Sequence, residues 1–142
     1  MKSKFSQIVK VKKQNLDKIA MRLSRSRAEA LMIEGFIAEA NSQIASISLP
    51  KSGEISHIQG SLELLNLARK EKDILTQRLE LTKKNIMHFE HQYKNANLEY
   101  EKMKYLESED FKSQIDNIKR IEKNTLDEFG AIRYAYLKED RS

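Results

Sequence analysis

His88 and His91, in the run HFEH with Glu90 between them, come nearest in type and spacing to a chemical site in this chain. Two histidines three apart on a helix share a face and could supply two ligands to a metal ion. A tetrahedral site needs further donors, and no third ligand at suitable spacing follows. There is no cysteine, so neither a thiolate site nor a disulfide can form. A phosphate-cradling loop needs clustered glycines, yet Gly35, Gly53, Gly60 and Gly130 never come closer than Gly53 and Gly60. No Ser or Thr lies between glycines at the spacing of a nucleophile elbow. The chain therefore reads as a non-enzyme, with no catalytic residue, cofactor or metal ligand, and its histidines as surface residues.

The elements that carry these side chains follow from composition. Charged residues make up 33%, aromatics 7%, and Gly and Pro together five residues. An apolar content of 39% is too low for a thick core. Abundant Lys, Glu, Leu, Ile and Ala with few breakers favour long helices. The length fits one domain. LPKSGEISHIQGS, residues 49 to 61, is the one turn-like stretch and holds the single proline, Pro50, with Gly53 and Gly60. At the start, Lys10, Lys12 and Lys13 stand where a signal peptide would need its apolar run. No window approaches eighteen apolar residues, so no membrane span is expected.

Two apolar stripes flank the turn. The first reads Phe5, Val9, Lys12, Leu16, Ile19, Leu23, Ser26, Ala30, Ile33, Ile37, Ala40, Ile44 and Ile47; the second runs from Ile58 through Leu65, Ala68, Leu75, Leu79, Ile86, Phe89 and Tyr93 to Met103. Steps alternate between three and four, the 3.5-residue repeat of a coiled-coil seam. Each stripe needs a mate, and across a short turn the other stripe is nearest. The expected fold is all-α: two long helices in an antiparallel coiled-coil hairpin, over about residues 3–47 and 58–137, with the turn at about 48–57. Matching the stripes outward from the turn sets Ile47 against Ile58, Ile33 near Lys72, Leu16 near Phe89, Lys12 near Tyr93 and Phe5 near Tyr100.

The second helix is the longer and overhangs the first. Beyond ESED at 107–110 its apolar spacing restarts out of phase as Phe111, Ile115, Ile118, Phe129, Ile132 and Tyr136. The four polar residues are read as a stutter, a kink or a helix start at Ser108. In this register roughly 50 Å of helix passes the N-terminus without a mate. A lone amphipathic helix is marginal in water, so this end should fray, self-associate or be buried in another protein.

Charge and exposure mark two further features. Among residues 1 to 27, Lys2, Lys4, Lys10, Lys12, Lys13, Lys18, Arg22, Arg25 and Arg27 face Asp17 alone. Such a cluster is a solvated helix face, a dock for an acidic surface, or a nucleic-acid contact. Phe89, Tyr93 and Tyr100, the nearest set for stacking on bases, fall in the seam, which weighs against nucleic acid. Off the seam, Leu67, Ile74 and Leu81 recur every seven residues, with Leu31, Met32 and Phe36 on the first helix. They are either scattered surface apolars or a protein-docking patch.

The ends of the chain carry a family resemblance. KFSQIVKVKKQNLDKIAMRLSRSRAEA, through Phe5, Ile8, Val11, Lys12, Lys13, Ala20, Leu23 and Arg27, resembles the N-terminal pattern of the FliJ family of the flagellar type III export apparatus. LDEFGAIRYAYLKED resembles its terminal pattern, through Leu126, Asp127, Glu128, Ile132, Arg133 and Tyr134. Gly130 and the sparse acidic residues after the first basic cluster depart from it. The resemblance implies a non-enzymatic stalk, similar to the coiled coil of rotary ATPase gamma subunits. Such a stalk binds the hexameric export ATPase FliI, promotes its assembly, links it to the export gate protein FlhA and handles export chaperones. It also implies a cytoplasmic place, peripheral at the inner membrane near the flagellar base. Placed on that mechanism by position and chemistry, Phe5, Lys12, Lys13, Phe129, Ile132, Arg133 and Tyr136 become the ATPase-binding candidates. Leu31, Met32, Leu67, Ile74 and Leu81 become the gate candidates. A homo-oligomeric scaffold, an export chaperone and, below these, a basic nucleic-acid binder are the alternatives.

Overall fold

The computed structural model describes residues 2–47 and 55–140, which form two helices, α1 (Ser6–Ser46) and α2 (Ile55–Asp140). They pack against each other in antiparallel sense, α2 being the longer, as the stripes require. α1 starts later than its stripe suggests because Ser3 to Phe5 form its cap. The turn around Pro50 and Gly53 lies outside the described residues; Ile55 to His57, expected within it, are already helical. α2 runs through Glu107, Ser108, Glu109 and Asp110 without leaving the helix, so no helix starts at Ser108. Contacts divide the chain into two compact units: Asn15–Ala96, and Met1–Gln14 with Asn97–Ser142.

In the unit Asn15–Ala96, the seam is built as its spacing dictates. Leu16, Ile19, Leu23, Ala30, Ile33 and Ala40 of α1 are buried, as are Ala68, Thr82 and Ala96 of α2, and Ile33 is covered most completely at 1% exposure. Of the stripe positions here, Tyr93 alone is exposed, at 37%. Thr82, a polar residue in the stripe, is accommodated because its hydroxyl donates to the Arg78 carbonyl at 2.9 Å. Two ion pairs flank the seam on exposed side chains: Arg27 with Glu90 and Arg78 with Glu29, each at 3.2 Å. As surface pairs they are each worth under about 1 kcal/mol, but they report alignment.

That alignment differs from the expected one by about a heptad. Arg27 reaches Glu90 and Glu29 reaches Arg78, which sets Ile33 level with Leu79 rather than Lys72. A shift of seven residues returns every stripe residue to the same face, so the apolar pattern tolerates both registers. Flanking charge separates them. One heptad back, Arg27 would meet Lys83 and Glu29 would meet Glu71, both like-charge pairs. The observed register replaces them with opposite charges.

The second unit follows the same shift. Lys12 pairs with Glu99 at 2.7 Å and Lys13 lies 5.5 Å from the Tyr100 ring centre, rather than Lys12 meeting Tyr93 and Phe5 meeting Tyr100. The Lys12 hydrogen bond, then its charge, lowers the Glu99 carboxyl below its ordinary value of 4.5. At its start the chain folds into a reciprocal cap. The Ser3 hydroxyl accepts from the Phe5 N–H at 3.1 Å, and the Ser6 hydroxyl accepts from the Ser3 N–H at 3.2 Å. Ser3 also donates to Asp110 at 2.6 Å, while the Gln114 amide donates to Asp110 at 3.1 Å and to the Lys2 carbonyl at 3.2 Å.

Candidate functional site

The cap explains the polar run 107–110. After Met103 the seam spacing continues in phase through Glu107, Asp110 and Gln114, all half-buried. Here α2 meets the open N–H groups of the α1 N-terminus rather than an apolar stripe, and a carboxylate suits that end of a helix dipole. The Ser3 hydrogen bond, with help from Gln114, the Lys4 backbone N–H and the Lys4 charge, overcomes desolvation and lowers the Asp110 carboxyl below 3.8. Ser3, Asp110 and Gln114 are thus positioning residues absent from the sequence-based candidates. The pattern Ser3-x-x-Ser6 and the unbroken spacing from Met103 were the available signals.

From Ile115 to Glu139 every residue of α2 is exposed. At 1.5 Å per residue this arm runs for about 40 Å, shorter than the 50 Å expected, because the heptad shift carries the α1 cap further along α2. On it, Ile115 and Ile118 are 42% and 44% exposed and Phe129 and Ile132 65% and 67%. Together with Glu122, Thr125 and Tyr136, and continuing from half-buried Phe111, they alternate four and three apart, a coiled-coil seam that from Ile115 onward has no mate among the described residues. Gly130 sits inside this helix without interrupting it.

The seven ATPase candidates fall into two groups that the fold does not bring together. Phe129, Ile132, Arg133 and Tyr136 lie on the exposed arm. Lys12 and Lys13 lie beside Glu99 and Tyr100, nearly thirty residues before Phe129, and half-buried Phe5 has the Lys4 ammonium 5.3 Å from its ring centre.

In the unit Asn15–Ala96, Leu31, Met32, Leu67, Ile74 and Leu81 are all exposed. Heptad position sets Met32, Phe36, Leu67, Ile74 and Leu81 along one flank of the helix pair and Leu31 on the other. Two hollows open on that flank and share Gln43 and Glu71. One, of about 300 Å³, is lined by Phe36, Ala40 and Leu75; the other, of about 280 Å³, by Ile47, Leu64, Leu67 and Ala68. Leu64 therefore joins the patch beside Phe36. Leu64 could have been found from its place three residues before Leu67, which sets both on one face of the helix.

His88 and His91 do not converge on a point. The Gln92 amide lies 3.1 Å from a ring nitrogen of His88, and the Asn95 amide 3.3 Å from one of His91. Among the described residues no group of three or more His, Cys, Asp or Glu could hold a metal ion, and no helix is long and apolar enough to cross a membrane.

An antiparallel two-helix coiled coil with a bare seam on its longer helix and an apolar flank is a protein-interaction element. The chain belongs to the FliJ family: the pattern described as Flagellar FliJ protein matches residues 1–138. It is accordingly a component of the flagellar export system. No curated protein and no solved structure matches the chain.

Proposed function

We propose that this protein is the stalk of the flagellar type III export apparatus, taken by its exposed arm into the hexameric export ATPase FliI, whose assembly and activity it promotes. The observation that carries this is the mateless seam from Ile115 to Tyr136. Folding leaves its apolar side chains in water, and burial in a partner removes roughly 25 cal/mol of penalty per Å² covered. Phe129, Ile132 and Tyr136 are the apolar contacts and Arg133 the charged one. Phe5, Lys12 and Lys13 act at the root of the arm, where Lys12 and Lys13 brace the pairing and the surrounding basic surface meets acidic groups of the ring. Met32, Leu67, Ile74 and Leu81, with Leu31 on the other flank, are the contacts for the export gate FlhA, and export chaperones are further partners. The protein then works at the cytoplasmic face of the inner membrane, near the flagellar base.

The test is a titration into purified FliI, following ring formation and ATP hydrolysis together. Stimulation of both, lost in Phe129→Asp, is expected. Ile74→Asp is expected to keep the stimulation and lose FlhA binding. Absence of stimulation by folded protein would refute the stalk reading.

A further inference from the structure

The bare seam also has a mate that needs no other protein. Its residues fall at 111, 115, 118, 122, 125, 129, 132 and 136, and all are apolar or aromatic except Glu122 and Thr125 at the centre. We propose that, free of any partner, two copies of this chain pair antiparallel through residues 111–136, in the one register that sets Glu122 of each against Thr125 of the other.

The polar pair at the centre selects this arrangement. With Glu122 opposite Thr125, Ile115 falls opposite Ile132 and Ile118 opposite Phe129, apolar against apolar. Sliding by a heptad in either direction puts Glu122 opposite Ile118 or Ile132, burying a carboxylate against hydrocarbon. A parallel in-register pair puts the two Glu122 carboxylates face to face, with like-charge repulsion. In the antiparallel register the Thr125 hydroxyl, which donates to its own Ile121 carbonyl at 2.9 Å in the single chain, has the second copy's carboxylate within reach of a rotation. One polar layer within an apolar seam is a recurrent device for fixing register and orientation.

Area permits the pairing. Five exposed large apolar side chains per copy, burying on the order of 100 Å² each, give roughly 1,000 Å² over both copies, the size of a small specific interface, and half-buried Phe111 adds to it at the edge. The contact is isologous, so it closes at two copies instead of growing into a filament. Self-pairing would compete with any partner that takes the same seam.

The experiment uses the full chain alone, so its outcome is independent of the ATPase reading. Sedimentation equilibrium from 1 to 200 µM should show a monomer–dimer equilibrium with a dissociation constant on the order of 10 µM, the weak affinity suited to a small interface. Phe129→Asp, at a 65%-exposed position where the monomer's helicity should stay unchanged by circular dichroism, should weaken it at least ~100-fold, because symmetry places the charge in the interface twice. The chain has no cysteine, so single spin labels can be placed cleanly. Labels at Asn124→Cys should lie about 20 Å apart and at Ser113→Cys about 35–40 Å apart, from the 1.5 Å rise and the antiparallel register. A monomer at 200 µM, a dimer unaffected by Phe129→Asp, or about 20 Å for both labels would each overturn the proposal.

Discussion

The same substitution at two isoleucines should have opposite consequences in this chain. Ile33 is 1% exposed and Ile132 is 67% exposed, yet both occupy stripe positions on long helices. Ile33→Ala removes three buried carbons, worth about 2.4 kcal/mol at ~0.8 kcal/mol per methylene. A cavity contribution adds to this, though a two-helix seam can close inward more easily than an enclosed core, so the total should be about 2–4 kcal/mol. At Ile132 little burial is lost, and alanine's higher helix propensity returns a few tenths of a kcal/mol, leaving stability unchanged within about 0.5 kcal/mol. Urea unfolding followed by helical circular dichroism measures both. For binding the order inverts. Ile132→Ala should weaken the ATPase complex while the exterior around Ile33 presents the same contacts as before. A loss below about 1 kcal/mol for Ile33→Ala, or equal losses for the two variants, would refute the division of the stripe into a paired seam and a bare one.

Three other perturbations test the surrounding framework. Asp110 has a lowered carboxyl value in the folded chain, so its stabilising contribution is present above the ordinary 3.8 and is lost as pH falls through the lower folded value. Thermal melts between pH 6 and 2 should therefore show an acid-induced decline that Asp110→Asn reduces; an identical decline would exclude the clamp as its source. Gly130 has nothing within 4 Å of where a Cβ would stand, and Gly35 likewise, so alanine at either should stabilise its helix by roughly 0.5–1 kcal/mol. Increased helicity with intact export function is expected, and a loss of helicity would contradict the open space around them. Finally, exchanging Arg27 and Glu90 as a charge-swapped pair should restore what either single reversal loses, by a few tenths of a kcal/mol in a double-mutant cycle. No coupling there, with coupling between positions 27 and 83 instead, would restore the register one heptad back.

The fold class was legible because a 3.5-residue repeat is a local property. Leu16, Ile19, Leu23, Ala30 and Ile33 report their own face without reference to any partner, and spacing alone separated seam from surface. Leu67, Ile74 and Leu81 were exposed for the same reason, and so were Phe129, Ile132 and Tyr136. Register was not legible from that repeat, since a slip of seven leaves each apolar residue facing the seam. Charges beside the seam carried the missing information: Arg27 against Glu90 in one alignment and against Lys83 in the other.

Sequence alone determined that this chain would be two helices with one apolar stripe each, a longer second helix and an out-of-phase stripe at its end. Those features follow from periodicity, which any short window displays. Tertiary structure decided what the polar run before that stripe was for. Glu107, Ser108, Glu109 and Asp110 read as an interruption because, taken locally, polar residues in an apolar repeat are a defect. The fold brings the Ser3 cap of α1 against Asp110 and Gln114, turning the defect into the partner of a helix end. The Ser3-x-x-Ser6 cap and the spacing from Met103 can each be read locally, but that they meet shows only in a contact between residues more than a hundred positions apart, since unsatisfied N–H groups and the carboxylate that meets them are complementary in space and unrelated in sequence.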